Sequence, residues 1–192
     1  MPPKPKFTRE EITAAALELV KERGCDALTA RELGKRLGAS VSPLFTVFKN
    51  MDEVRWAARE LALQEFKNKT KECSTNEKAF RQLGMLMVDY ALCEPELYKL
   101  LFMQEHPAGR SFAETMSDFD GLSEQCVELL EKEYELSRPR AKFVFESVWV
   151  QAFGLGALCA MKVCDLTHDE IADRLQRVFA GLLLRVSTGA ED

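Results

Sequence analysis

Apolar residues recur every three to four positions along most of the chain, and no stretch holds the strict alternation of a half-buried strand over a useful length. The pattern predicts an all-α protein. Thr8 followed by Glu11 has the form of a capping box, after which Ile12, Ala15, Ala16, Leu19 and Val20 line one helical face until Gly24, which is expected to close the helix with a left-handed cap. Thr29, with Glu32 three residues on, opens a second short helix that buries Leu33 and Leu37 and stops at Gly38. Ser40 is placed as the cap of a third, with Pro43 in its first turn and Leu44, Phe45, Val47 and Phe48 as its apolar bulk. A fourth helix is expected over residues 52–73, and others over 76–93, 95–104, 111–134 with a break near Gly121, 139–163 and 167–186. His106 to Gly109 reads as the clearest internal loop, and residues 189–192 as a frayed tail.

The first three helices are short and joined by a Gly-Ala-Ser turn between positions 33 and 41, which is the layout of a helix-turn-helix. A helical corner inside an ordinary bundle has the same outline, so the shape alone leaves both open. The division expected is a DNA-reading head over residues 1–50 and a larger helical body over 51–192.

Charge sharpens that division. Residues 1–50 hold nine Lys and Arg against six Asp and Glu, a balance of +3, which leaves −8 on the rest of a chain whose total is −5. A basic head on an acidic body suits a reader of DNA joined to a domain with a different task. The six cysteines show no CxxC spacing and are expected to be reduced; His106 and His168 are the only histidines, so neither a metal nor another cofactor is called for. The amino terminus lacks the apolar core of a secretion signal, and the most apolar stretch, residues 144–163, is interrupted by Glu146, Gln151 and Lys162, so a cytoplasmic location without membrane insertion is expected.

The runs TREEITAAALELVKERG at 8–24, LTARELG at 28–34, LGAS at 37–40, Leu44-Phe45 and Phe48-Lys49-Asn50 resemble the amino-terminal domain of TetR-family regulators. The resemblance implies an all-helical homodimer whose body binds a small-molecule effector and whose heads bind a palindromic operator in double-stranded DNA. It also implies roles: a phosphate-contacting hydroxyl at Thr29, a base or phosphate contact at Arg31, a recognition helix from Ser40 to Val47, and a phosphate contact near Lys49. The sequence departs from the family where Val41, Ser42 and Pro43 replace polar residues, a glycine and a threonine. Phe45 stands for a tyrosine, and Val47 for a frequent histidine. A surface of Ser40, Val41, Ser42, Pro43, Phe45 and Thr46 has few long polar side chains, so base reading is expected to rest on hydroxyls and methyl contacts, with A·T-rich half-sites. Phe45 is equally compatible with core packing.

Trp149, Phe153, Gly154 and Leu155 match the spacing of a Trp-His-Gly-Leu pattern in the penultimate helix of some family members, with Phe153 in the histidine position. For the dimer, Ala152, Gly156 and Ala160 form a small-residue stripe at four-residue spacing, and Leu175, Val178, Phe179, Leu182 and Val186 give the last helix an apolar face. The stripe packing within one subunit is the alternative. For the effector, Met87, Tyr90, Phe102, Met103, Phe112, Met116, Phe119 and Trp149 are candidate lining for an apolar pocket, or plain core. There is no Gly-rich phosphate loop, GxSxG or HExxH, so an enzyme is not expected. The competing reading is a helical adaptor whose DNA-binding head is impaired.

Overall fold

In a computed structural model of the protein, residues 6–73, 79–105, 109, 111–117 and 121–188 are described. The described elements are α1 (Arg9–Arg23), α2 (Ala30–Arg36), α3 (Met51–Cys73), α4 (Ala79–Cys93), α5 (Pro95–Phe102), α6 (Phe112–Ser117), α7 (Leu122–Tyr134), α8 (Arg138–Ala160) and α9 (His168–Ser187), with 3-10 turns at Cys25–Ala27 and Ser42–Thr46. The protein is all-α.

The caps follow the residue types. Thr8 accepts from the Glu11 amide while the Glu11 carboxylate accepts from the Thr8 amide, a complete capping box. At α2 only half of this forms: Thr29 accepts from the Glu32 amide, but the Glu32 carboxylate is drawn 2.5 Å from Arg23 instead. Two expectations are corrected. Gly24 has φ 82° and ψ 169°, a positive φ but an extended exit, so it ends α1 without a left-handed helical cap. Ser40 caps nothing: the third element is a five-residue 3-10 turn whose cap position is Val41, with no side-chain bond. Gly121, in the left-handed region, divides α6 from α7 near the expected break. Most of the expected loop at 106–109 lies outside the described residues.

One hydrophobic cluster runs unbroken from α1 and α2 through α3, α4 and α5 into α8 and α9; a second joins α4, α6, α7, α8 and α9. Helix α8 is long and apolar enough to cross a membrane by composition alone, yet it packs against α4, α5, α7 and α9, as a central core helix does. The five described free cysteines include Cys126, whose burial pushes its thiol pKa up to about 12.

The structure corrects the dimer stripe. Ala152, Gly156 and Ala160 are buried within their own chain, and Gly156 lies under the Tyr98 ring of α5, where a Cβ would stand 2.6 Å from the Tyr98 hydroxyl. Leu175 is buried in the first cluster; Val178, Phe179 and Leu182 are half-buried, with Phe179 against Phe80 and Tyr134. The outward face of α8 is instead Phe143, Val150 and Leu158, with the half-buried Gly154 between them and Met161 just past the helix end, offset two residues from the expected stripe. Because α8 is apolar nearly all round, its sequence does not distinguish inside from outside.

Candidate DNA interface and effector cavity

The head is built around Leu28, Leu33, Leu44 and Phe48, all fully buried or nearly so, which hold α2 and the 3-10 turn against α1. Gly38, at φ 63°, provides the reversal between them, and the Ala39 amide returns to the Gly34 carbonyl at 2.9 Å. With Leu44 and Phe48 inward, Ser40, Ser42, Phe45 and Thr46 are exposed, and Val41, Pro43 and Val47 are half-buried. Phe45, 44% exposed, is not a core residue. The recognition element therefore faces solvent.

Hydrogen bonds fix what each hydroxyl can still offer. Thr46 Oγ1 donates its proton to the Pro43 carbonyl at 2.7 Å, which leaves the oxygen as an acceptor for a base N–H. Thr29 is the reverse case: its oxygen accepts from the Glu32 amide, and its hydroxyl proton stays available to a phosphate oxygen.

Ion pairing sorts the head's cations. Arg9 binds Glu53 at 2.9 Å, Lys21 binds Glu65 at 3.1 Å, Arg23 binds Glu32, and Arg36 binds Glu22 at 2.6 Å. Among the described residues up to position 50, Lys6, Arg31, Lys35 and Lys49 form no ion pair, and all four are exposed. Arg31 and Lys49 are among the residues the family resemblance points to; Lys35 and Lys6 are not, because only the fold reveals which cations are already neutralised.

The 3-10 turn is fastened to α3. Asn50 accepts from the Glu53 amide at 2.9 Å, and the Glu53 carboxylate accepts from the Lys49 amide at 2.7 Å. The Lys49 N–H, and then the Arg9 guanidinium, hold the Glu53 carboxyl below the usual glutamate range. The Arg9 guanidinium also stacks 4.2 Å from the Phe48 ring centroid. Helix α3 thus carries the reading element at its start and, about 20 Å along, reaches the body.

There Phe66 of α3 helps to line a cavity of about 60 Å³ between the two hydrophobic clusters, together with Phe80, Gly84, Met87, Phe102, Cys126, Phe145, Val148, Trp149 and Ala152. Of the candidate effector residues, Met87, Phe102 and Trp149 meet at this cavity. Tyr90 stands behind Phe66, edge-on at 5.1 Å, and Met116 is buried in the second cluster. Phe112 is an exposed ring edge-on to Trp149. Met103 lines a separate groove with Trp56 and Arg59, and Phe119 lies outside the described residues. Phe66, Phe80, Gly84, Phe145 and Val148 were not singled out, since an apolar lining residue carries no sequence mark that separates it from core.

Helix α5 ties cavity to head. Phe102 borders the cavity, Arg59 donates to the Leu101 carbonyl at 3.2 Å, and Gln104 reaches Cys25 Sγ at 3.7 Å beside the end of α1.

Residues 12–62 match the family model described as "Bacterial regulatory proteins, tetR family". No curated protein matches the chain. Among solved structures, a TetR protein of Acinetobacter baumannii AYE in complex with minocycline is similar at 20% identity, with 97% of this chain and 100% of that one covered and a TM-score of 0.63. A TetR-like transcriptional regulator from Rhodococcus sp. RHA1 is similar at 16% identity, covering 98% and 100%, with a TM-score of 0.67. The fatty acid degradation regulator FadR of Bacillus halodurans is similar at 16% identity, covering 94% and 97%, with a TM-score of 0.62. At such identities the likeness establishes the fold.

Proposed function

We propose, from the match of residues 12–62 to the tetR family model and from the shared fold, that the protein is a regulator of that family: a cytoplasmic, homodimeric repressor released from a palindromic operator by a small apolar effector. The observation that carries the reading is the outward presentation of Ser40, Ser42, Phe45 and Thr46 over a buried Leu44 and Phe48, beside cations that no carboxylate neutralises. Family and fold are those of transcription regulators rather than of enzymes.

Phosphates are held by Arg31, Lys35, Lys49 and the Thr29 hydroxyl, while Thr46 accepts from a base N–H and Val41 and Phe45 pack on thymine methyls. Two heads must meet successive major grooves roughly 34–36 Å apart, so a twofold dimer is required. Its interface is the outward α8 face, where Val150 is 52% and Met161 54% exposed, with Leu184 of α9 at 68%. A solvated apolar row of this kind on a central helix fits burial against a second copy.

An effector enlarges the cavity between the clusters, displaces Phe66 and Phe102, and through α3 and α5 changes the spacing of the heads. The cavity's lining is apolar and aromatic with adaptable Met87. The A. baumannii protein of the same fold is in complex with minocycline, in keeping with a body that holds a small molecule.

Selecting bound sequences from random duplex DNA, with affinity measured across salt, tests this. The expected result is an inverted repeat whose affinity falls steeply as salt rises, and an Arg31→Ala variant bound about ten-fold more weakly with an unchanged dimer mass. A pool that yields no motif would overturn the regulator and leave the adaptor.

A further inference from the structure

The inner cavity does not stand alone. A second groove of about 260 Å³ opens on the flank between α4, α7 and α9, and its lining shares Phe80, Gly84 and Val148 with the inner cavity. These three residues border both an apolar space of about 60 Å³ and a wider, half-polar one. Joined, the two reach the lower end of the size range of ligand pockets, roughly 300–1,000 Å³. Neither does so alone.

The shared residues favour joining. Gly84 sits within α4, where a glycine weakens a helix by roughly 0.5–1 kcal/mol relative to alanine. No positive φ requires it, and a Cβ built there would meet nothing within 4 Å. Its effect is to leave space open on the side where both cavities meet. The Phe80 ring, beside it, packs against Phe179 at 5.4 Å in a tilted pair, and a rotation about its side-chain bonds would open the passage.

The charged residues lining the groove are Arg81 of α4 and Glu133 of α7. Arg81, next to Phe80, is exposed and forms no ion pair with any described residue. Glu133, which also lines the groove, takes part in an interaction of its own, and burial together with the Glu133 charge raises the pKa of the neighbouring Tyr134. The remaining polar lining, Tyr134 and Gln176, can donate hydrogen bonds. A guanidinium with no ion-pair partner among the described residues, at the rim of an apolar channel, favours a carboxylate, which it can bind in bidentate fashion while the channel takes up the hydrocarbon.

We propose that the effector site is this joined channel and that it takes a carboxylate-headed amphiphile, with the head on Arg81 in the outer groove and the apolar body passing Gly84 and Phe80 into the inner cavity. The inference rests on the effector reading above and narrows it from apolar ligands in general to anionic amphiphiles.

The test compares three probes of equal chain length, decanoate, 1-decanol and decyltrimethylammonium, by titration calorimetry on the full chain. Wild type binds decanoate about ten-fold more tightly than decanol and the ammonium least. Arg81→Gln removes the preference for decanoate and leaves decanol binding unchanged; this exposed variant should fold normally. Gly84→Leu, filling the shared border, weakens decanoate and decanol alike by ten-fold or more. Equal binding of acid and alcohol, tighter binding of the ammonium, no change on Arg81→Gln, or no binding by any probe would overturn the inference. Binding to the selected DNA, measured on the same samples, separates the two readings: an intact DNA complex without decanoate preference sinks the amphiphile alone. Absence of specific DNA binding sinks the regulator and leaves the calorimetry to be judged by itself.

Discussion

A methyl group at position 156 would lie 2.6 Å from the Tyr98 hydroxyl and 2.8 Å from two of its ring carbons, and Tyr98 is fully buried with its hydroxyl donating to the Phe153 carbonyl at 2.8 Å. The ring cannot yield without breaking that bond or moving α5. Gly156→Ala therefore destabilises the fold by about 1–2 kcal/mol, the overpacking cost exceeding the helix-propensity gain, and lowers Tm by several degrees in thermal unfolding. Gly84→Ala, facing open space, goes the other way by about 0.5–1 kcal/mol. In the sequence the two glycines look alike, each inside an apolar helical run; the difference lies entirely in what stands across from them. The same holds for Phe45 and Phe48, three residues apart, of which one is 44% exposed and the other buried under the Arg9 guanidinium.

Helix ends obey rules written within a few residues, which is why the starts of α1, α2 and α9 follow from Thr8, Thr29 and Thr167. The end of α8 is a Schellman turn: the Val163 amide reaches the Leu158 carbonyl and the Lys162 amide the Cys159 carbonyl, both at 2.9 Å. Lys162, at φ 56°, holds the left-handed position where glycine is usual. Lys162→Gly is expected to stabilise the protein by about 1 kcal/mol and raise Tm by about 2–4 °C, as measured by calorimetry. This reversal, two turns beyond Gly154, was not legible, because a lysine does not announce a left-handed cap, and residues 161–163 were expected to continue the helix. The recognition element differed for a similar reason: the residues were identified, but a five-residue 3-10 turn capped by Val41 replaced a helix capped by Ser40. At that length the tertiary seat of Leu44, rather than propensity, sets the geometry.

For the molecule as a whole, the proposed function requires two chains to pair across the outward face of α8. A Val150→Glu, Leu158→Glu double variant places charges on that face without touching Tyr98 or the core; light scattering should report single chains with an unchanged helical spectrum, and specific DNA binding should be lost. A dimer that survives would move the interface elsewhere. The all-helical class, the order of the helices and the helix starts at Thr8 and Thr29 were determined by the sequence, because caps, breaks and 3.6-residue periodicity are local signals. Which side of α8 points outward, which cations of the head are already spent on carboxylates, and where space remains between the two clusters were decided only by the tertiary structure. Those properties belong to pairs of residues far apart in the chain, such as Tyr98 with Gly156 or Arg9 with Glu53, and no local pattern encodes such a pairing.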